Sequence, residues 1–180
     1  MNNTISTTIG IDTVIQSIQT DLYNELTAQW EGSVDGYGRV YKNIDANGSL
    51  KPEWYLGNNE YKDVYYNDAF ACSYMFIDDD NHTTEDEVVF NTPVKVVFMM
   101  DLERVKPEES GRADVIAQND VIEVLRNFAF ERFSITGITK GIRNVFRGFE
   151  TKGIKFSDIH PYHCFSVDIQ LSYYLTDKCD

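Results

Sequence analysis

Ile11, Ile15, Ile18, Leu22 and Leu26 recur at helical spacing with polar residues between them, so the pattern predicts an amphipathic helix over 12–30. Asp12 is placed to cap it. Gly32, Gly36 and Gly38 then break the periodicity, and the chain to residue 76 reads as short strands and long polar loops loaded with tyrosine and tryptophan. Alternation predicts a strand over 69–77. A polar, acidic hairpin loop follows over 78–87, and then the strongest strand, 94–102. In that strand Val94, Val96, Phe98, Met100 and Leu102 share one face. Val97 and Met99 make the other face partly apolar, as expected for a strand in the middle of a sheet.

A second amphipathic helix fits 113–128, with Val115, Ile122, Leu125 and Ala129 turned inward. A short strand or turn follows at 135–138 and a short helix at 142–149. Between residues 163 and 173, His163, Phe165, Val167, Ile169, Leu171 and Tyr173 alternate with Cys164, Ser166, Asp168, Gln170 and Ser172, which predicts a strand with one wet face. Helix, strands, helix, strand implies an α+β fold, an antiparallel-rich sheet with helices on one face and long loops. With 180 residues, no long linker and no second core, the chain reads as a single domain, 1–180. The echo of Thr139-Lys140-Gly141-Ile142 in Thr151-Lys152-Gly153-Ile154 is too short for a repeat architecture.

Charge changes the picture most. With 29 acidic against 16 basic residues the net charge is −13, a field that repels phosphate and argues against a nucleic-acid grip, though not against a wall beside passing DNA. The longest apolar run, 94–100, contains Lys95 and is far short of the roughly 20 residues that span a bilayer. The first residues lack a basic stretch and an apolar core, so no secretory signal is read, and Cys72, Cys164 and Cys179 read as reduced thiols.

Candidate chemistry is sparse. Asp78, Asp80 and His82 alternate in the acidic loop, but a calcium loop needs glycine and glutamate where Thr83 and Val89 stand. In an extended strand His160 and His163 point to opposite faces and Cys164 points away from His163, so a zinc site does not assemble, and a satisfied histidine at a strand entry is the simpler reading. Phosphate-loop and nucleophile-elbow patterns are missing. No cofactor, metal or catalytic group is assigned, and an enzyme is not expected.

The clustered charges are more informative. Lys140, Arg143, Arg147, Lys152 and Lys155 crowd a segment with only Glu150 nearby, and the first three have helical spacing. The acidic loop, with Asp78, Asp79, Asp80 and Glu85, has the opposite sign. One subunit's basic segment could meet a neighbour's acidic loop; an internally paired or merely solvated surface is the alternative. Trp54 and Tyr55 are candidate interface anchors within the aromatic stretch, which also serves as core.

Gly10-Ile11-Asp12 and Trp30 bound the first helix. Further on stand Tyr37-Gly38-Arg39-Val40-Tyr41-Lys42-Asn43, Pro52-Glu53-Trp54-Tyr55, Glu60-Tyr61-Lys62-Asp63-Val64 and Asp158-Ile159-His160-Pro161-Tyr162-His163-Cys164-Phe165. This combination resembles head–tail connector ring proteins of tailed phages infecting Bacteroidetes, including crAss-like phages, and the order of elements resembles the tail-terminator fold. The resemblance spans most of the chain and brings no catalytic residues. It implies a structural virion protein, assembled in the host cytoplasm, that forms a homo-oligomeric ring between portal-side and tail-side proteins, with DNA passing through its lumen unbound. A soluble acidic binding or inhibitor protein, a DNA mimic acting as monomer or dimer, is the competing expectation. A small enzyme or sugar binder using the aromatic loops ranks behind both.

Overall fold

The computed structural model describes residues 1–129, 132–155 and 157–175. Strand β1 (Asn2–Asn3) leads to helix α1 (Ile11–Gln29), then β2 (Val34–Arg39), β3 (Tyr41–Ile44), β4 (Leu50–Gly57) and β5 (Glu60–Asp63). Next come β6 (Cys72–Asp78), β7 (Thr83–Thr84), β8 (Val89–Asp101), α2 (Leu102–Val105) and α3 (Ala113–Phe128). The chain continues through β9 (Phe133–Lys140), α4 (Ile142–Val145) and β10 (Tyr162–Tyr174).

The main sheet runs β1-β2-β6-β8-β10-β9, with β7 beside β8, while β3, β4 and β5 form a separate antiparallel sheet. The pairs β1–β2 and β2–β6 are parallel and the other pairs of the main sheet antiparallel. Parallel neighbours need a crossover. Helix α1 makes the first, and the three-stranded sheet lies in the second.

Strand β8 sits inside the sheet and is apolar on both faces, as its sequence predicts. Val94, Val96, Phe98 and Met100 join α1 and α3 in one cluster, which includes Ile18, Leu22, Leu26, Val121 and Leu125. Burying each such side chain stabilises the fold by about 1.5–3 kcal/mol. Val97 and Met99 face a second cluster, with Met75, Cys164, Trp54, Val64, Tyr65, Val145 and Phe146. The expectation of one core therefore needs correction. A second apolar layer, built by the three-stranded sheet and the segment after β9, covers the opposite face. It also covers part of the expected wet face of β10, so that Cys164 and Ser166 are buried.

Local corrections follow from packing. Gly10, at φ 55°, precedes α1 without a side-chain cap, and Asp12 instead accepts from Arg39 Nε at 2.6 Å. Gly36 and Gly38 do not end structure but lie within β2. A Cβ on Gly36 would sit 2.4 Å from the Tyr74 hydroxyl, which crosses that point to donate to the Gln19 carbonyl at 2.7 Å. Helix α3 has the expected bounds, with Leu125 in the core and Ile122 and Ala129 packed against it as expected; Ala117, Val121 and Val124 are buried beside them, while Val115 is only half-buried. The short strand expected at 135–138 is the eight-residue edge strand β9, and the helix expected at 142–149 is the single turn α4.

Candidate functional site

Lys140 ends β9, Arg143 lies on α4 and Arg147 follows that turn, so the expected shared helix face does not form. Exposure is what the three share. Each is open to solvent, and among the described residues none has a carboxylate within ion-pair distance. Most other cations are engaged. Arg39 pairs with Asp12 and Asp78, Lys42 with Asp80, Lys106 with Asp120, and Arg132 with Asp21.

The acidic loop divides into two parts. Asp78, proposed from sequence as an interface residue, is 6% exposed. Its carboxylate lies 3.4 Å from Arg39 and 3.2 Å from His82 Nε2, while His82 Nδ1 lies 2.6 Å from the Tyr173 hydroxyl. That network ties α1, β2, β10 and the loop together, so Asp78 is structural. Asp79, Asp80 and Glu85 are exposed. Asp78, Asp79 and Asp80 also line a cleft of about 440 Å³ with Lys42, Lys95 and Arg147. The acidic loop and part of the basic segment thus face one another within a single subunit, which weakens the case for pairing them across subunits.

In the same cleft Asp168 accepts hydroxyl hydrogen bonds from Thr139 and Ser166, both at 2.8 Å, and Lys95 reaches the Val145 carbonyl at 3.5 Å. Among the described residues no group of three or more His, Cys, Asp or Glu side chains could hold a metal ion. Asp80 pairs with Lys42, and the Gln118 amide meets His163 Nε2 at 2.7 Å. Desolvation holds His163 below its ordinary pKa, against the opposing fields of Asp114 and Asp158. Cys72 and Cys164 are buried, which pushes both thiols up, away from reactive thiolate. Cys179 lies outside the described residues.

The proposed aromatic anchors separate cleanly. Trp54 is 7% exposed and packs on the Tyr37 ring at 6.1 Å, so it belongs to the second core and not to an interface. Tyr55, one residue on, points the other way because side chains alternate across a strand. On that outer face it joins two residues that sequence reasoning did not single out, Tyr41 and Tyr61. The three ring centroids lie 5.3–5.8 Å apart, and Tyr41 and Tyr61 are 45% and 43% exposed. Register places Glu53 opposite Tyr41 and Asp63 opposite Glu53, on the same face. The period-two alternation of Lys51, Glu53 and Tyr55 carried the signal for that face, but its partners come from β3 and β5.

No family model matches the chain, and comparison with curated proteins and with solved structures returns no match. Among the described residues no helix is long and apolar enough to cross a membrane.

Proposed function

We propose that this chain is a structural virion subunit that closes with copies of itself into a ring in a phage head–tail connector, around the DNA channel. The observation that carries the reading is the set of exposed cations at Lys140, Arg143 and Arg147, which have no ion-pair partner among the described residues of a chain of net charge −13. With acid in large excess, cations left unpaired among the described residues fit a contact with another protein surface. The motif resemblance supplies the setting, with portal-side and tail-side proteins above and below. The acidic excess suits a lumen through which DNA slides, since each phosphate neutralised by a basic wall would add affinity and retard passage. The role requires no cofactor and no catalysis.

The test is Arg143→Glu with Arg147→Glu. The reading expects loss of self-association with unchanged circular dichroism and thermal stability. Normal assemblies from the folded double variant would remove the basic segment from the interface.

The exposed carboxylates Asp79, Asp80 and Glu85 favour a second reading, an acidic protein that captures a basic partner as monomer or dimer. Tight 1:1 binding of a basic enzyme by a chain that does not self-associate would support that reading over the ring.

A further inference from the structure

The outer face of the β3–β4–β5 sheet is an aromatic and acidic surface, with Tyr41, Tyr61 and Asp63 exposed and Tyr55 and Glu53 partly so. Tyr41, Tyr55 and Tyr61 form a triangle of mutually tilted rings rather than a scatter of exposed aromatics. Their inner neighbours, Pro52 and Trp54, are buried against the main sheet, so the strands cannot roll to hide the tyrosines without exposing the second core. Glu53 and Asp63 project on the same side. One oxygen of Glu53 accepts from Asn43 at 2.7 Å and one of Asp63 from the Tyr65 backbone N–H at 2.8 Å, which fixes both carboxylates; among the described residues the second oxygen of each accepts no hydrogen bond.

Electron-rich ring faces beside fixed carboxylates form a receptor for a guanidinium: the rings attract the cation face-on, and the carboxylates take its planar N–H groups. Among the described residues no cation of the same chain lies over these three rings. The one cation–π contact among the described residues is Lys62 over Tyr37, at 5.1 Å. Lys51, on the same outer face, is paired with Asp45 at 3.5 Å.

We infer that this face receives Arg143 and Arg147 of a second copy of the chain. The inference rests on the ring reading and gives it a specific lateral contact. The two surfaces differ in chemistry, so the contact is heterologous: each copy offers its arginines to one neighbour and its tyrosine face to the other, and such contacts close into rings when the rotation permits. Arginine and tyrosine are also the residues that concentrate binding energy at interfaces.

Two complementary variants test it. Arg143→Glu with Arg147→Glu spoils the donor surface, and Tyr55→Ser with Tyr61→Ser spoils the receptor. Glu53→Gln with Asp63→Asn is a near-isosteric second receptor variant, used if the tyrosine pair fails to fold. Each variant alone should be monomeric by light scattering, with association weakened at least about 30-fold. Mixed in equal amounts they should form 1:1 dimers and nothing larger, because one intact donor meets one intact receptor and the growing ends are blocked. Folded variants that each still assemble like the parent chain, or a mixture that stays monomeric, would overturn the assignment while leaving the ring intact as a reading. A parent chain that never self-associates would remove both.

Discussion

Trp54→Ala separates core from surface at adjacent residues. Trp54 is 7% exposed, packs tilted by 57° against the Tyr37 ring at 6.1 Å, and has Cζ3 only 3.3 Å from where a Cβ on Gly38 would stand. Truncating a buried tryptophan costs about 3–5 kcal/mol through lost burial and the cavity left behind. Trp54 lies in the thinner second layer, where the three-stranded sheet can partly close on the gap, so the lower end, about 3 kcal/mol, is expected. In a chain of 180 residues that corresponds to a fall in Tm of about 6–12 °C. The measurement belongs in the Arg143→Glu, Arg147→Glu background, so that loss of assembly does not mix with loss of folding. Thermal melts followed by circular dichroism suffice, and Trp30 fluorescence gives a second probe. Tyr55→Ala in the same background should change stability by less than about 1 kcal/mol, as expected for a surface substitution. A Trp54→Ala melt within about 2 °C of the parent would refute the placement of Trp54 in the core.

Gly36→Ala should be more damaging than its single methyl suggests, lowering stability by more than about 3 kcal/mol in urea denaturation, because the new Cβ would meet the buried Tyr74 hydroxyl at 2.4 Å. His163 gives stability a pH dependence. Its folded pKa is depressed by burial, so above the ordinary imidazole value near 6.5 both states are neutral, and below it the unfolded chain takes up a proton that the native one resists. Stability should therefore fall as pH drops below about 6.5, by at most about 1.4 kcal/mol per unit from this residue, and the slope between pH 5 and 7 should flatten in His163→Gln. Equal slopes in the two proteins would contradict the assignment. In a Cys179→Ser chain, Cys72 and Cys164 should resist a thiol reagent under native conditions and both react in denaturant; rapid native labelling of Cys164 would show that the second layer opens readily, and of Cys72 that the first does.

Elements governed by one strong period were legible in the sequence. Helix α1 and strand β8 follow from apolar spacing, as do the bounds of α3 and, Val115 apart, the inward placement of Ile122, Leu125 and Ala129. The three-stranded sheet was not legible as a layer. Its strands are short, its inner residues (Pro52, Trp54) and outer residues (Glu53, Tyr55) include aromatics on both sides, and composition does not say which ring is buried. The parity of Trp54 and Tyr55 decides that, and parity needs the register with β3 and β5. The basic segment was found by charge alone, but its shape was misread. Lys140, Arg143 and Arg147 have helical spacing, yet Lys140 is drawn into β9 by pairing with Phe165, and Gly141, at φ 85°, separates strand from turn. The acidic loop was visible as a run of carboxylates. Its division into a buried anchor, Asp78, and solvated neighbours depends on Arg39, distant in sequence and brought close by β2 and β6.

The same contrast bears on the lateral contact proposed above. Asp79 and Asp80 share a cleft with Lys42 and Arg147 of their own chain, whereas Glu53 and Asp63 stand beside tyrosines on a face turned away from the second core. On the contact proposed above, that face and not the acidic loop receives the incoming arginine.

The most direct test of the central claim is the state of the purified full chain, by light-scattering mass and negative-stain imaging across a wide range of protein and salt concentrations. The account predicts closed assemblies with a central opening that weaken as salt screens the arginine contacts. A monodisperse monomer at every concentration would contradict it.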